Sequence, residues 1–140
     1  MAVKALIFAA IAHKGQKDKA GKSFIRHPMR VAKALKGKQY KEAALLHDVV
    51  EDTKYTLDDI RKLFGDTVAD AVDAMTRRKG EPLMKYLDRV KDNKIALAVK
   101  IEDLLHNADL FRCSNVGDKE IKRTRRYCYE VQYLVGFVKG

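Results

Sequence analysis

Hydrophobic positions recur along this chain at the three- and four-residue spacing that is typical of α-helices. Over residues 2–13 this spacing is carried by apolar side chains: Val3, Leu6, Ile7, Ala10 and Ile11. Lys4 and His13 interrupt the run, which is too short to span a bilayer. A lysine-rich segment with glycines at 15 and 21 follows in place of a signal-peptide cleavage region, so we predict a buried first helix.

Turn and capping residues divide the rest of the chain into further helices. Pro28 suits the first position of a helix, Thr56 is a natural N-cap, and Gly65 is placed to end the helix that Thr56 begins. The predicted helices cover residues 28–36, 40–50, 56–64, 66–76, 82–92, 93 or 94 to 107, and 118–138. The inward positions predicted for the last helix are Ile121, Cys128, Val131, Val135 and Val138.

Length and composition favour one all-α domain over residues 1–140. The chain is 46% hydrophobic and 34% charged, as in globular proteins rather than disordered ones. Its 140 residues suffice for one hydrophobic core but not for two. Cys113 and Cys128 lack metal-site spacing, and this cysteine usage indicates a reduced, cytoplasmic protein. No membrane segment is expected, because the longest apolar run is too short.

Positive charge is clustered, within a formal net charge of +10. The clusters comprise Lys14, Lys17, Lys19, Lys22, Arg26 and Arg30; Arg77, Arg78 and Lys79; and Lys119, Lys122, Arg123, Arg125 and Arg126. A basic surface attracts the phosphates of nucleotides, nucleic acids or anionic lipids, although it also serves plain solubility. Charge alone leaves these alternatives open.

The segment "AALLHDVVEDT", residues 43–53, passes from apolar residues to one imidazole and three carboxylates. On a continuous helix His47, Glu51, Asp48 and Asp52 fall at roughly 0, 40, 100 and 140 degrees, within one broad sector. Acids packed this closely repel one another unless a cation lies among them. A divalent metal satisfies that requirement, and solvated acids at a frayed helix end are the alternative.

Two further segments supply candidate ligands. "NKIALAVKIEDLLHNADL" is apolar on most faces, as in a buried helix, yet it carries Asp103 in its middle. Asp103 needs a partner, which is either a metal or a cation such as Lys100. "FIRHP" places His27 just before a helix, where a capping or surface role is the alternative to ligation. His27, His47, Asp48 and Asp103 together form a two-histidine, two-aspartate set that suits Mn²⁺, Fe²⁺ or Zn²⁺ better than Ca²⁺.

The ordered motifs "AHKGQ", "FIRHPMRVA", "ALLHDVVEDT", "VDAMT", "YLDRV" and "VKIEDLLHNAD" resemble HD-domain hydrolases of the RelA/SpoT type. In particular they resemble the small stand-alone alarmone hydrolases that remove the 3′-diphosphate from (p)ppGpp. The resemblance implies a single HD-domain helical bundle that binds one Mn²⁺, or another divalent metal, through His27, His47, Asp48 and Asp103. It also implies that Glu51 and Asp52 handle the attacking water.

The expected reaction gives GDP or GTP and pyrophosphate. Basic residues available to neutralise the diphosphate are Lys17, Lys19, Arg77, Arg89 and Lys100, and Asn107 is placed to touch the nucleotide. We interpret His13 as a structural residue that hydrogen-bonds the following loop, and Tyr86 and Phe24 as core. No membrane or stable nucleic-acid partner is expected, and the oligomeric state stays open, a homo-oligomer included.

One departure from the family pattern bears on the substrate. Asp18 stands where the family has an arginine that packs on guanine, and lysine at 17 or 19 lacks the flat guanidinium that stacks well. Another phosphorylated nucleotide is therefore an alternative substrate. A non-catalytic basic nucleotide-binding protein is the alternative from another class.

Overall fold

The computed structural model describes residues 2–139, so the first and last residues of the predicted 1–140 domain lie outside it. The helices are α1 Val3–Ala12, α2 Arg26–Lys33, α3 Lys38–Leu46, α4 Val49–Asp52, α5 Leu57–Phe64, α6 Asp66–Met75, α7 Leu83–Lys91, α8 Lys94–Asn107 and α9 Asp118–Val135. A short 3-10 turn covers Leu110–Arg112. Residues 2–139 contain no strand, only an isolated antiparallel bridge between Lys17 and Ser23. The prediction of an all-α fold is confirmed.

Helix α8 lies at the centre of the bundle, where it contacts α2, α3, α6, α7 and α9. Its apolar faces explain that position, since Ile95, Ala96, Val99 and Leu104 are all buried. Asn93 caps its N-terminus by accepting hydrogen bonds from the backbone N–H groups of residues 95 and 96. The central position of α8 brings Asp103 into the interior, whereas Lys94 and Leu105 on the same helix are exposed.

Local signals correctly located several helix ends. Thr56 accepts from the Asp59 backbone N–H, and the Asp59 side chain accepts in return from Thr56 N–H, forming a capping box. Gly65 adopts a φ of 89°, in the left-handed region that glycine tolerates, and separates α5 from α6. Between residues 2 and 139 no helix combines the length and the apolar character that crossing a membrane requires.

The first two helices differ from prediction. Only one face of α1 is buried, through Ala5 and Ala9, whereas Val3, Ile7 and Ile11 are exposed. The small alanines allow α1 to approach the bundle closely, and periodicity gave the wrong face. Helix α2 begins at Arg26, two residues before Pro28, and ends at Lys33 instead of residue 36. Pro28 is still accommodated because the first turn of a helix needs no N–H from it.

The predicted helix over 40–50 is two helices, so the angular argument that assumed one continuous helix was wrong. Helix α3 ends at Leu46, His47 and Asp48 form a turn, and α4 begins at Val49. The His47 ring donates from Nδ1 to the Ala44 carbonyl. In an uninterrupted helix that carbonyl accepts from the Asp48 N–H, so the ring replaces a backbone donor at the break.

The inward face of the last helix was also predicted wrongly. Ile121, Cys128, Val135 and Val138 are exposed, and Val131 is only half-buried. The buried residues of α9 are Glu130 and Leu134, with Tyr127 and Val131 partly buried beside them. These four positions share one helical face. The sequence pattern did not indicate this face, because the charged residue Glu130 interrupts its apolar positions.

Candidate active site

Three separate parts of the chain bring His27, His47, Asp48 and Asp103 together. His27 lies in the first turn of α2, His47 and Asp48 form the break between α3 and α4, and Asp103 lies in α8. His27 Nε2 is 2.7 Å from Asp103 Oδ1, and His47 Nε2 is 3.3 Å from the same oxygen. Asp48 Oδ2 is 3.1 Å from His47 Nε2 and 3.8 Å from His27 Nε2.

The break after α3 also orients the His47 ring. Because a carbonyl oxygen can only accept, the contact with Ala44 places a proton on Nδ1 of His47. Nε2 consequently points toward Asp48 and Asp103. A histidine that ligates a metal through Nε2 commonly donates its Nδ1–H to a backbone carbonyl in this way.

The buried charges in the cluster perturb one another strongly. Burial by itself opposes ionisation of His47, but Asp48 and Asp103 outweigh it and raise the pKa of His47 well above its usual value. Burial likewise opposes ionisation of Asp103, but Lys100 and the two histidines hold its pKa well below the usual range. The two shifts are reciprocal: the carboxylates favour the charged form of His47, and Lys100 with the histidines favours the charged form of Asp103.

This donor set fits a divalent cation. One ligand atom from each of the four residues lies within 4.8 Å of every other. Ligand atoms that lie about 2.0–2.2 Å from one metal are roughly 3 Å from one another. The four distances given above, between 2.7 and 3.8 Å, lie on either side of that value. Two imidazoles with two carboxylates match Mn²⁺, Fe²⁺ or Zn²⁺. Sequence order predicted these four residues, and the structure places them together.

Glu51 and Asp52 follow the cluster on the short helix α4. Glu51 Oε1 accepts from the backbone N–H of Arg77 at 2.7 Å, which fixes that carboxylate. Burial, together with the Asp48 and Asp52 charges, raises the pKa of Glu51, and burial and Asp48 raise the pKa of Asp52. A carboxylate with a raised pKa beside a metal site is a stronger base than an ordinary one.

The cluster opens into a cavity of about 770 Å³. The five predicted substrate-binding residues line it: Lys17, Lys19, Arg77, Lys100 and Asn107. Lys100 donates to Asp103 Oδ2 at 3.0 Å, and Asn107 Nδ2 donates to Asp103 Oδ1 at 3.1 Å. Arg89 does not belong to this wall, because both Glu81 carboxylate oxygens bind its guanidinium, at 2.7 and 2.8 Å.

The residues interpreted as structural divide between core and cavity wall. His13 Nδ1 donates to Gln16 Oε1 at 2.9 Å, as expected for a residue that holds the following loop. Tyr86 is buried and donates to the Met75 carbonyl, yet the side of its ring faces the cavity, with Lys100 Nζ 5.4 Å from the ring centre. The prediction of Phe24 as core was wrong, because Phe24 is only half-buried, lies outside the core and lines the cavity beside the His27 ring. For Tyr86, a core position and a place in the cavity wall are not exclusive alternatives.

Sequence reasoning missed four polar or aromatic residues of the site region. Arg112, Arg126, Tyr127 and Glu130 line the cavity, three of them from the misassigned face of α9. His106 is not among the predicted site residues, but its Nδ1 lies 2.7 Å from His27 Nδ1. The signal available for α9 was the spacing of Tyr127, Glu130, Val131 and Leu134, in which one charged residue breaks an apolar stripe.

Asp18 has a structural role in the loop beside the cavity. Its Oδ1 accepts from the backbone N–H groups of Ala20 and Lys22, each at 2.9 Å, and its Oδ2 lies 3.9 Å from Arg112 Nη2. Although burial works against ionisation, these hydrogen bonds and Arg112 lower the pKa of Asp18. The Asp18 carboxylate holds the loop by accepting these hydrogen bonds. An arginine at this position could not do so, because its side chain has no acceptor.

Comparison with known proteins agrees with this geometry. The model of the HD domain family matches residues 5–110. A solved structure described as a metazoan ortholog of SpoT, which hydrolyzes ppGpp and plays a role in starvation responses, superimposes with a TM-score of 0.79 at 26% sequence identity. The match covers 99% of this chain and 85% of that one.

Curated relatives are much longer proteins. A GTP pyrophosphokinase of Streptomyces coelicolor is 35% identical over 126 residues, which are 81% of this chain and 15% of the relative. The GTP pyrophosphokinase rsh of Brucella melitensis is 34% identical over 119 residues, which are 74% of this chain and 16% of the relative. The chain thus spans about one sixth of the length of these relatives or less.

Proposed function

This chain belongs to the HD domain family, and from that premise we propose that it hydrolyses the 3′-diphosphate of (p)ppGpp, giving GDP or GTP and pyrophosphate. We propose further that residues 1–140 act as one metal-dependent phosphohydrolase domain. The observation that carries the proposal is the convergence of His27, His47, Asp48 and Asp103 beside a cavity that is lined by both basic and acidic side chains, Glu51 and Asp52 among them.

In the proposed site, His27, His47, Asp48 and Asp103 hold one divalent cation, Mn²⁺ in the first instance. Such a cation supplies Lewis acidity toward a phosphoryl oxygen and favours ionisation of water. The protein's contribution is orientation. Ala44 sets the tautomer of His47, while Lys100 and Asn107 fix the two oxygens of Asp103.

Glu51 is the proposed general base. It takes a proton from water as the water oxygen bonds to the phosphorus nearest the ribose, the bond from that phosphorus to the 3′ oxygen breaks, and the 3′ oxygen gains a proton. Asp52 orients the water or supplies that proton. The negative charge of the diphosphate is neutralised by lysine and arginine side chains that line the cavity: Lys17, Lys19, Arg77 and Lys100.

Base specificity is the less constrained part of the proposal. The relative that is described as hydrolysing ppGpp supports guanine. Asp18 is committed to its loop and offers no stacking surface, so another 3′- or 2′-phosphorylated nucleotide is the second candidate substrate.

The test is turnover by purified protein with Mn²⁺, followed by separate detection of pyrophosphate and orthophosphate. Conversion of ppGpp to GDP and pyrophosphate, lost on chelation and in His47→Ala, supports the proposal. Preferential release of orthophosphate from another nucleotide supports the second candidate. Nucleotide binding without turnover, unchanged in His47→Ala, contradicts both and favours a binding protein.

A further inference from the structure

A second cavity, of about 380 Å³, lies beside the first and is dominated by positive charge. Five cationic residues line it: Lys22, Arg26, Arg30, Lys33 and Arg112. Asp18 is the one carboxylate residue of the lining, and two backbone N–H groups already occupy its Oδ1. The volume lies within the range of roughly 300–1,000 Å³ that is typical of small-molecule sites.

Four of these cations have no partner within residues 2–139. The side chains of Lys22, Arg26, Arg30 and Lys33 take part in none of the ion pairs or hydrogen bonds of that part of the chain. Like charges held together without counterions raise the free energy of the folded state, so an anion bound among them is stabilising. Lys22, Arg26 and Arg30 belong to the first basic cluster of the sequence, and of that cluster the proposed hydrolysis uses only Lys17 and Lys19.

The spacing of the cations favours an extended anion over a single phosphate. Arg26, Arg30 and Lys33 share one face of α2 over its eight residues, a length of about 10 Å. Two arginine forks on one face can each bind a different phosphate of a diphosphate group. A concave wall of this kind suits a small anion better than the flat surface of a polyelectrolyte.

The second cavity adjoins the first through shared residues. Asp18 and Arg112 line both, and Arg112 is held in place by the His106 carbonyl at 2.9 Å and by Asp18 at 3.9 Å. His106 contributes to the second cavity while its ring contacts His27. An anion in the second cavity therefore lies on the opposite side of the Asp18–Arg112 pair from the proposed catalytic cavity.

We propose that the basic cavity formed by α2, the Asp18 loop and Arg112 is a second binding site, and that its ligand is a diphosphate group. The diphosphate is either the 5′ end of the nucleotide substrate or part of a second nucleotide. Binding of a diphosphate in this cavity does not depend on the hydrolysis proposed above. Only the first source, the 5′ end of the substrate, rests on that proposed function.

Titration calorimetry with inorganic pyrophosphate and metal-free protein tests the site. The double variant Arg26→Gln, Arg30→Gln should weaken one binding component by about tenfold or more, because it loses two charge-assisted contacts. Lys122→Gln, Arg125→Gln is the matched control: it removes the same charge from exposed positions on α9 that line neither cavity. Equal pyrophosphate affinity in the two double variants overturns the proposal.

Kinetics distinguish the two sources. If the substrate's 5′ end is bound, the Arg26→Gln, Arg30→Gln variant raises KM for ppGpp but not for guanosine 3′-diphosphate, which lacks the 5′ phosphates. If a second nucleotide is bound, the pyrophosphate component is lost while both KM values stay unchanged. Should the chain hydrolyse neither compound, the proposed function fails, and the calorimetry still decides whether the cavity binds a diphosphate. Lys33→Gln provides a single-charge variant if the double variant does not fold.

Discussion

His106 Nδ1 and His27 Nδ1 lie 2.7 Å apart, with the two rings nearly parallel at 6°. One of these nitrogens must donate and the other accept. Burial, followed by Arg112 and other nearby cations, lowers the pKa of His106 to about 4, so its ring is neutral at pH 7 and Nδ1 can accept. A His27 ring that donates from Nδ1 can use Nε2 as a ligand when a cation occupies the cluster.

We therefore predict that His106 sets the tautomer of His27. His106→Ala should reduce divalent-cation affinity by roughly 10- to 100-fold, the range for loss of an outer partner of a ligating histidine. His106→Asn should recover part of the loss, because its side-chain oxygen can accept from His27. Calorimetric titration with Mn²⁺ measures both, with the exposed Leu105→Ala as control. Unchanged affinity in His106→Ala rules out this role.

Divalent cations should stabilise the fold through the four-residue cluster. A ligand present at 100 times its Kd stabilises the native state by about 2.7 kcal/mol, so Mn²⁺ should raise Tm measurably and a chelator should reverse the rise. His47→Ala should abolish the cation-dependent part of the shift. Asp58→Asn, which removes an exposed carboxylate outside the cluster, should retain it. A shift that survives in His47→Ala places the cation elsewhere.

Glu51→Gln should separate catalysis from binding. Glutamine retains a side-chain oxygen that can accept from the Arg77 backbone N–H, so the loop keeps its geometry. Loss of a general base lowers kcat by about 10²- to 10⁴-fold, while bound metal and KM change little. Steady-state kinetics and metal analysis of the same preparation provide the check. Activity close to that of the unaltered protein means that Glu51 is not the base.

Alkaline pH should destabilise the protein partly through Tyr86. Burial raises the pKa of its phenol to about 12, from an ordinary 10.0. Because the folded state favours the neutral phenol, Tyr86 adds its full contribution to the free energy of unfolding below pH 10. That contribution, at most about 3 kcal/mol, is lost as pH rises through 12. Tyr86→Phe should be less stable at pH 8, by roughly 1 kcal/mol for the hydrogen bond to Met75, but less sensitive between pH 10 and 12. Urea unfolding at several pH values measures the difference, and parallel curves for the two proteins contradict it.

Two neighbouring residues test the observed face of α9. Leu134 is fully buried, whereas Val135 is 50% exposed. Leu134→Ala should cost about 2–5 kcal/mol of unfolding free energy, as for other buried leucines. Val135→Ala should stay close to the ±0.5 kcal/mol that is typical of surface positions, beyond a small propensity gain. Comparable losses in denaturant unfolding would instead support the face predicted from sequence.

The sequence determined the helical class, most helix ends and the identity of the clustered side chains. Helical spacing and caps such as Thr56 are local, so they act whatever the rest of the chain does. The sequence also predicted that Asp103 needs a partner, because it lies in a segment that is apolar on most faces and an unpaired buried carboxylate is costly. These inferences needed only neighbours in sequence.

Tertiary structure alone decided which faces are buried and how the clustered residues are oriented. Helix α1 buries Ala5 and Ala9 fully, with Leu6 and Phe8 partly buried beside them, because close approach of two helices depends on both partners. Glu130 is buried on the face of α9 that lines the cavity, although its charge suggests an exposed position. The break at His47 interrupts a helix that the local sequence favours. The contact between His27 and His106 and the second basic cavity both join residues that are distant in sequence. Such arrangements are fixed by the packing of the whole chain, since no local spacing contains them.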